Sequence, residues 1–535
     1  MDIVLLILLY SVVSLTVIWC VLQSYFHSVT SDYFTSRGVP YERYPWGNLL
    51  EVVFNKRSLD IVCSEMYRQY KHNKLVAFLF WRTPAVFILD PQLAETVLVQ
   101  DFSNFHDRGV PHNPNEPMSE SLSILSGQKW RHLRYKLIPA FSSGKVRAML
   151  EQILKCGDFA LEHIEEDSAT QREVEMEQMA FKYTTQAMGS CMAGIELQSD
   201  SKLWSTFKNV LNIATKLSLY SRLKALLAIA NPKLLILLNI QIIDRRVTKF
   251  FLDLTQSAIK CRGFTKRKRH DVLQLMLTLK EEEDREKKAI VGNNFSAIDA
   301  NGDFDTAYSC KSSVEIELPK EAIFTENCIA STLFNFVSGG NKPIVNTIIF
   351  ALFELARNHS TQEIAQNEID FCIAKHKGLT YEAIRDMIYI DQIVQETLRL
   401  YTPVPLISRK VTGDFQMPGT DFVLKPGNFI YVPIAAIHKD PQNYPDPESF
   451  NPDRFAGNNY KSSVLYMPFG HGPRMCIAIK FAVVTMKVYL AKILSKYSVR
   501  LGRKLHLPLR FDGSYYIMKL EGGMWLSVHP RDAHS

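Results

Sequence analysis

The spacing of hydrophobic and polar residues divides this chain into segments of different character. Residues Ile3 to Leu22 form a run of twenty residues without a charged side chain, and a helix of that length can cross the hydrocarbon core of a bilayer. Short apolar runs at Leu75–Phe80 and Ala85–Leu89 predict a small β-hairpin. From Leu93 onward the apolar residues recur with helical periodicity, which predicts a mainly helical protein with little sheet.

The amino-terminal run is predicted to be a retained membrane anchor over residues 1–25. The alternative, a cleaved signal peptide, has a basic start and a small-residue cleavage site, whereas the only charge before this run is Asp2. Lys and Arg residues follow the run but none precedes it, so the positive-inside rule predicts that the rest of the chain faces the cytosol. Residues 26–50, which include Pro40 and Pro45, are predicted to be a hinge linker.

Three segments stand out in residues 51–535, whose length alone would suggest two or three domains. Residues Leu203 to Leu254 are unusually apolar, but charged residues and a proline interrupt them, which makes a second membrane span a poor interpretation. Residues 280–319 begin with a charged run and continue rich in Gly, Asn, Ser and Asp, which predicts a flexible loop within the domain. Residues Leu507 to Val528 contain two glycine turns and predict β-hairpin structure.

The composition narrows the class of protein. Of the 535 residues, 47% are hydrophobic and 22% are charged, which is typical of a globular protein. The nine cysteines include no CxxC pair and show no regular spacing, which favours reduced cytosolic thiols over a disulfide framework. The net charge of +7 comes without a basic stripe interleaved with aromatic residues, so nucleic acid is not an expected partner. A basic face suits an acidic redox partner or anionic lipid instead.

The stretch from Phe469 to Ala478 carries the strongest chemical signal. Its single cysteine, Cys476, is framed by two glycines, a proline and Arg474, and an apolar helical run follows. The positive end of that helix and the charge of Arg474 can hold Cys476 as a thiolate. A thiolate in a rigid loop beside an aromatic ring, here Phe469, can be the axial ligand of a haem iron, where it favours O–O cleavage. A buried free cysteine in a turn is the alternative.

Two upstream segments complete a pattern. Glu396 and Arg399, in the sequence QETLR, lie three residues apart on one helical face. Arg454 belongs to a proline-rich segment, PESFNPDRF, that is unsuited to a helix or a central strand. In this order and spacing the three segments resemble the cytochrome P450 haem-thiolate family. The resemblance runs from about residue 40 to the C-terminus and has the character of animal microsomal members, particularly insect detoxification-type enzymes.

The resemblance implies the fold class and the cofactor. It implies a single large domain, mainly α with small β-sheets (α+β), behind an amino-terminal transmembrane anchor. The cofactor implied is haem b, with Cys476 as the axial ligand of the iron. Glu396, Arg399 and Arg454 would form a buried charge network that locks the loop carrying the cysteine.

The resemblance also implies which residues contact the haem and its two propionates. Trp130 and Arg134 lie on one helical face and match the family's Trp-x-x-x-Arg pattern. The expected contacts are Trp130, Arg134, Arg474, Arg409, Phe469 and, more weakly, Arg108. His471 is on the same loop as Cys476 and cannot reach the opposite haem face as a second ligand. A hydrogen bond near a propionate is expected for it.

The distal helix departs from the family pattern, in which a small residue, a glycine, an acid and a threonine relay protons for O–O cleavage. This chain has the sequence SGGNKP. Counted forward from the preceding apolar residues, Asn341 takes the acid's position and Lys342 the alcohol's. Counted back from the following apolar residues, these positions fall on Lys342 and Pro343. Ser338 and Gly339 are the other candidate catalytic positions. Lys342 either donates protons, binds the metal or extends out of the pocket.

The implied activity is a monooxygenase reaction that inserts one oxygen atom of O2 into a lipophilic small molecule. Electrons would come from NADPH through NADPH-cytochrome P450 reductase, with cytochrome b5 as a second donor. Four basic residues either dock such a donor or are simply solvated: Arg131, Lys136, Lys145 and Arg147. The apolar residues 203–254 would contact membrane lipid, and the implied location is the cytosolic face of the endoplasmic reticulum.

Two alternatives stay open because the acid and alcohol of the distal helix are missing. One is a haem-thiolate enzyme that rearranges or dehydrates oxygenated substrates without O2. The other is a haem or ligand binder with little turnover. The sequence shows no preference among steroid, fatty acid, terpenoid and xenobiotic substrates.

Overall fold

A computed structural model describes residues 3–42, 50–54, 57–80, 83–171, 173–197, 201–264, 271–291, 323–460, 463–515 and 517–531. The helices in these ranges are α1 (Ile3–Thr35), α2 (Leu50–Val53), α3 (Leu59–Tyr70), α4 (Pro91–Glu95), α5 (Gly127–Leu137), α6 (Ser143–Gln171), α7 (Met176–Met188), α8 (Lys202–Thr215), α9 (Leu219–Ala230), α10 (Pro232–Leu237), α11 (Arg245–Phe264), α12 (Val272–Val291), α13 (Glu326–Arg357), α14 (His359–His376), α15 (Tyr381–Asp386), α16 (Ile388–Leu400), α17 (Ile434–Ile437) and α18 (Ile479–Lys496). The strands are β1 (Leu75–Phe80), β2 (Thr83–Ile88), β3 (Glu173–Glu175), β4 (Ile407–Lys410), β5 (Phe415–Gln416), β6 (Val423–Leu424), β7 (Phe429–Val432), β8 (Tyr497–Leu501) and β9 (Trp525–Pro530).

The strands form small sheets beside the helical body. β1 and β2 pair antiparallel with Leu75 opposite Ile88, which confirms the predicted hairpin. With β7 and β4 they make a four-stranded sheet of order β1-β2-β7-β4, while β3, β9 and β8 form a second sheet and β5 pairs with β6. The prediction of a mainly α protein with small sheets is therefore confirmed.

α13 is the centre of the larger of two hydrophobic cores. Every residue from Ile344 to Ala356 is buried, as expected of a helix that is apolar on all sides and lies inside a large domain. The helix contacts α7, α11, α16 and α18. Because α18 begins three residues after Cys476, the cysteine loop is attached directly to this core.

The amino-terminal helix is longer than predicted. α1 continues to Thr35 rather than ending at the predicted anchor boundary, residue 25. Within the part of the chain that the structure describes, no helix combines the length and the apolar character that crossing a membrane requires. The anchor and its location stay predictions from the sequence.

The end of α1 is packed onto the body, where a hinge over residues 26–50 was predicted. Phe34 is fully buried and stacks on Tyr41 with ring centroids 5.7 Å apart. Its ring also lies 5.0 Å from that of Phe422, beside β6. Buried aromatic pairs of this kind contribute to stability beyond their buried area. Phe34, Val39 and Tyr41 are thus part of the smaller core. Residues 43–49 lie outside the described ranges.

Two other sequence predictions need correction. The loop predicted over residues 280–319 starts as helix, because α12 continues to Val291; Arg285 and Glu281 pair at 3.6 Å on its surface, a helix-stabilising spacing. Residues 292–322 lie outside the described ranges. The hairpin predicted over residues 507–528 is confirmed only in part: Phe511 lies opposite Leu520, while the later residues form β9 and pair with β8.

Candidate functional site

Cys476 lies in a loop that folds back on itself before α18. The N–H of Cys476 donates to the carbonyl oxygen of Phe469 at 2.8 Å, and the N–H of Gly470 donates to that of Met467 at 2.9 Å. These two bonds close the loop with backbone groups alone. The backbone conformation of the loop is therefore supported by its own main-chain groups.

Gly472 allows this loop to pack against the rest of the protein. Its φ is +74°, and a Cβ built on it would lie 2.1 Å from the carbonyl oxygen of Leu98. Any other L-residue would have both an unfavourable backbone and a clash with main-chain atoms. The loop is thereby held against the turn Thr96–Gln100, a contact that the sequence indicated only through its two glycines.

The thiol of Cys476 is accessible although protein atoms surround it. Burial is the main influence on its pKa and raises it. The N–H of Ala478 and the charges of Arg108 and Arg134 act in the opposite direction and lower this pKa. The site therefore combines space beside the sulfur with groups that stabilise its thiolate form.

Guanidinium groups gather around the cysteine loop in excess of nearby carboxylates. Burial lowers the pKa of Arg134 to about 10 and that of Arg409 to about 9, and the positive charge of Arg108 adds to both effects. Nε of Arg409 is buried and has no hydrogen-bond partner in the described residues. Buried cations require compensating anions, so this cluster fits an acidic ligand such as a propionate pair.

Arg474 holds the cysteine loop in place. Its guanidinium lies 4.0 Å from the ring centroid of Trp130 and donates to the carbonyl oxygens of His106 at 2.7 Å and Leu125 at 2.8 Å. Its Nη2 also lies 3.6 Å from a carboxylate oxygen of Asp107. Because most of its donors are engaged by protein, Arg474 is placed to position the loop, and a propionate contact stays a prediction.

Arg134 and His471 also bind protein groups. Arg134 Nη2 donates to the carbonyl oxygen of Met475 at 2.8 Å, so it supports the residue before the cysteine. His471 Nε2 lies 2.6 Å from Oε2 of Glu95 at the end of α4. His471 therefore links the loop to α4, and the hydrogen bond expected for it near a propionate stays a prediction.

The predicted charge network is present and completely buried at its centre. Arg399 donates to both carboxylate oxygens of Glu396 at 2.7 and 2.8 Å, and neither side chain has any exposed surface. Arg454 Nε reaches Oε1 of Glu396 at 3.3 Å. Arg399 also donates to the carbonyl oxygens of His438 and Pro447 at 2.9 and 2.8 Å. The network therefore ties α16 to the segment that leads to the cysteine loop.

Sequence reasoning missed His438, which extends this network. The imidazole is fully buried; its Nε2 accepts from the N–H of Met467 at 2.9 Å, so its Nδ1 carries the proton and donates to Oγ1 of Thr402 at 2.9 Å. Burial, helped by the charge of Arg399, lowers its pKa to about 3, so the ring is neutral. The dipeptide His438-Lys439 gave no signal of this role.

The two unusual polar residues of α13, Asn341 and Lys342, point toward α7. Lys342 Nζ lies 3.1 Å from Oε1 of Glu177 on α7, and both side chains are about one-eighth exposed, at 12% and 13%. Asn341 is buried and its Nδ2 donates to Oγ1 of Thr185, also on α7, at 2.8 Å. Both side chains thus contribute to helix–helix packing, as the option that Lys342 extends out of the pocket requires, and the catalytic roles stay predictions.

Gly339 and Pro343 occupy the other face of α13. Gly339 is exposed in the middle of a buried helix, and a Cβ built on it would meet no atom within 4 Å. A Cβ on Gly340, by contrast, would lie 2.5 Å from Cε of Met188 on α7. Residues four apart share a helical face, so Gly339 and Pro343 line an opening. This supports the second register, with Lys342 and Pro343 at the acid and alcohol positions.

Ser338, the remaining candidate on α13, is half-buried. Its hydroxyl donates to the carbonyl oxygen of Phe334 at 2.6 Å. Thr347, the next hydroxyl along the helix, donates to the carbonyl oxygen of Pro343 at 2.8 Å. Hydroxyls bonded back to their own helix satisfy its carbonyl groups, and neither residue forms an acid–alcohol pair.

Comparisons with known proteins agree with the motifs. The family model described as "Cytochrome P450" matches residues 39–300 and 304–524. The chain is 30% identical over 519 residues to "Cytochrome P450 6a2" of Drosophila melanogaster, covering 95% of this chain and 97% of that protein. It is 32% identical over 490 residues to "Cytochrome P450 6d1" of Musca domestica, covering 89% and 91%.

Proposed function

Because the chain belongs to the cytochrome P450 family, we propose that it uses electrons from NADPH, delivered by a reductase, to oxygenate a lipophilic small molecule. Its membership makes it a haem monooxygenase, as the sequence motifs predicted. The observation that carries the proposal is the accessible thiol of Cys476 in a loop fixed by backbone hydrogen bonds. The electron donor and the class of substrate are the parts proposed.

The residues present fit a haem. Cys476 is placed to ligate its iron, and the unpartnered Nε of Arg409, together with Arg134 and Arg108, suits its propionates. A bound haem supplies electron transfer and the activation of O2. The protein contributes the thiolate, stabilised by the N–H of Ala478, and a loop that Arg474 and the Glu396 network hold rigid.

Proton supply is where this chain differs from its family's pattern. The acid and alcohol positions hold Lys342, which is paired with Glu177, and Pro343, which has no hydroxyl. We propose that protons come from water or from the substrate itself. A poorly controlled proton supply favours release of hydrogen peroxide over product, so coupling between NADPH and product is expected to be low.

The proposed donor is NADPH-cytochrome P450 reductase, with cytochrome b5 as a second donor. The basic residues on and after α5 support this docking face, since Lys145 and Arg147 are exposed and Arg131 and Lys136 are half-exposed. Arg147 also pairs with Glu382 at 2.5 Å, so the partner would compete for it. An acidic partner gains association rate from such a face.

A location on the cytosolic face of the endoplasmic reticulum membrane is proposed from the uncharged run Ile3–Leu22. Exposed apolar residues on α9 and α10 support contact with lipid: Leu219, Tyr220, Leu237 and Leu238. Exposed apolar patches of this kind mark interaction surfaces. Retention of the full chain in the membrane pellet after alkaline carbonate extraction tests the anchor; release into the supernatant contradicts it.

The test of the proposed function uses the full chain loaded with haem, in vesicles with the reductase. NADPH consumption, hydrogen peroxide and product are measured together. We expect reductase-dependent NADPH consumption of which the larger part appears as peroxide, because α13 lacks the proton relay. No consumption above that of the reductase alone contradicts the proposal.

A second candidate function is O2-independent rearrangement or dehydration of an oxygenated substrate. The observation that favours it is the face of α13 at Gly339 and Pro343, which has neither acid nor hydroxyl. Conversion of a lipid hydroperoxide without NADPH would support this candidate. If the holoenzyme neither consumes NADPH nor converts a hydroperoxide, the third hypothesis, a haem or ligand binder with little turnover, is favoured.

Lys342→Met is expected to affect stability and not coupling. It leaves the largely buried Glu177 without its cation, which should lower the apparent free energy of unfolding by about 1–2 kcal/mol. The paired change Lys342→Met with Glu177→Gln should recover part of this loss. Urea unfolding and the ratio of peroxide to NADPH are the measurements. A changed ratio of peroxide to NADPH with unchanged stability would indicate that Lys342 takes part in the reaction.

A further inference from the structure

Pro343 removes one hydrogen bond from the middle of α13. In an α-helix the N–H of each residue donates to the carbonyl oxygen four residues earlier. Proline has no N–H, and Pro343 lies inside the helix Glu326–Arg357. The carbonyl oxygen of Gly339 therefore lacks its helical donor.

This carbonyl belongs to a residue on an open face of α13. Gly339 is exposed although Phe336, Val337 and Asn341 around it are buried, and no side chain lies within 4 Å of where its Cβ would be. Because Gly339 has no side chain, the backbone itself is exposed on this face of α13. A ligand can approach the main chain here as closely as glycine permits.

The neighbouring side-chain donors are engaged elsewhere. Ser338 and Thr347 donate to the carbonyl oxygens of Phe334 and Pro343. Nδ2 of Asn335, one turn before Gly339, donates to Oγ of Ser123 at 2.8 Å. None of these three contacts supplies a hydrogen to the Gly339 carbonyl.

We propose that the Gly339 carbonyl oxygen is a substrate-binding group that accepts a hydrogen bond from an O–H or N–H of the substrate. The substrates of this enzyme are accordingly lipophilic molecules that carry one such donor, for instance an alcohol, rather than plain hydrocarbons. This deepens the proposed function and rests on it, because it takes the proposed lipophilic substrate to bind at the exposed face of α13. A backbone acceptor cannot change its role to donor, so it selects donors over ethers and ketones.

The test compares matched ligands that differ only in the donor. The haem-loaded full chain is titrated with biphenyl-2-ol, biphenyl-3-ol and biphenyl-4-ol and with the three methyl ethers, and the dissociation constants are read from the shift of the Soret band. The same titrations are made on Pro343→Ala, which restores an N–H to the Gly339 carbonyl. The three hydroxyl positions allow for different orientations of the bound ligand.

We expect at least one alcohol to bind the wild type about fivefold more tightly than its ether, and this preference to fall to about one in Pro343→Ala. A change in the shape of the binding site alone would alter alcohol and ether together and leave their ratio intact. Alcohol-to-ether ratios that agree within about twofold between the two proteins for all three pairs would overturn the proposal. A water permanently bound at the carbonyl would give that same overturning result.

Ser338→Ala is the matched control, since it removes the nearest hydroxyl and leaves the Gly339 carbonyl unchanged. Its alcohol-to-ether ratios should equal those of the wild type; a loss of preference in Ser338→Ala but not in Pro343→Ala would assign the contact to Ser338 and overturn the proposal. Pro343→Ala removes a helix-breaking residue, and circular dichroism checks that it folds. Failure of the proposed function can be distinguished from failure of this proposal. A chain without bound haem gives no Soret shift with any ligand.

Discussion

Replacing Arg399 by methionine should lower the apparent free energy of unfolding by about 3–5 kcal/mol. The substitution leaves the carboxylate of Glu396 buried without its main partner, and Glu396 has no exposed surface. It also leaves the carbonyl oxygens of His438, Pro447 and Ser449 without the donors that Arg399 provides. Each buried acceptor that loses its partner adds to the cost.

Urea unfolding of the haem-free protein, followed by circular dichroism, measures this effect without contribution from haem loss. Arg454→Lys is the matched control. Arg454 is 10% exposed and its Nε contact to Glu396 is the longer one, at 3.3 Å, so its loss should cost no more than about 1.5 kcal/mol. If Arg399→Met costs no more than Arg454→Lys, the buried pair does not hold the loop.

Replacing Cys476 by alanine should abolish the red-shifted Soret band of the dithionite-reduced, carbon monoxide-treated protein. The band depends on a thiolate bound to haem iron, and Cys476 is the cysteine whose accessible thiol is flanked by the N–H of Ala478 and the charges of Arg108 and Arg134. NADPH-dependent product should fall to the background of the reductase alone, a loss of at least about a thousandfold.

Cys372→Ala is the control for this experiment, because Cys372 is a buried cysteine on α14. It should keep the red-shifted band. A red-shifted band that persists in Cys476→Ala, or is lost in Cys372→Ala, would assign the ligand to a different cysteine. Circular dichroism should show that Cys476→Ala keeps its helices, since the loop is closed by backbone hydrogen bonds that do not involve the sulfur.

The parts of the site that the sequence predicted are those with short-range signatures. Glu396 and Arg399 are three residues apart on one helix, so their pairing follows from helical geometry. The glycines beside Cys476 indicated a tight loop, and Gly472 does adopt a positive φ. The β1–β2 hairpin was predictable because two short apolar runs of strand length follow each other closely in the sequence.

The contacts of Lys342 and His438, which the sequence did not predict, join segments that are distant in the chain. Whether Lys342 faces the open side of α13 or α7 is decided by Glu177, about 165 residues away, and no local pattern encodes that pairing. His438 was missed for the same reason, since its partners Thr402 and Met467 lie on other segments. The charged second half of α12 suits a solvated loop and a surface helix equally. The i,i+4 spacing of Glu281 and Arg285 did not decide between them.

The packing of Phe34 between Tyr41 and Phe422 has a mechanical consequence. Because the ring of Phe34 packs between Tyr41 and Phe422, α1 extends from the body of the protein at a fixed angle. It is a rigid connection and not a flexible one. A partner that binds the amino-terminal end of α1 would therefore also set the orientation of the rest of the protein. The side of the protein that faces incoming molecules is then set by a contact more than four hundred residues before the loop that carries the sulfur.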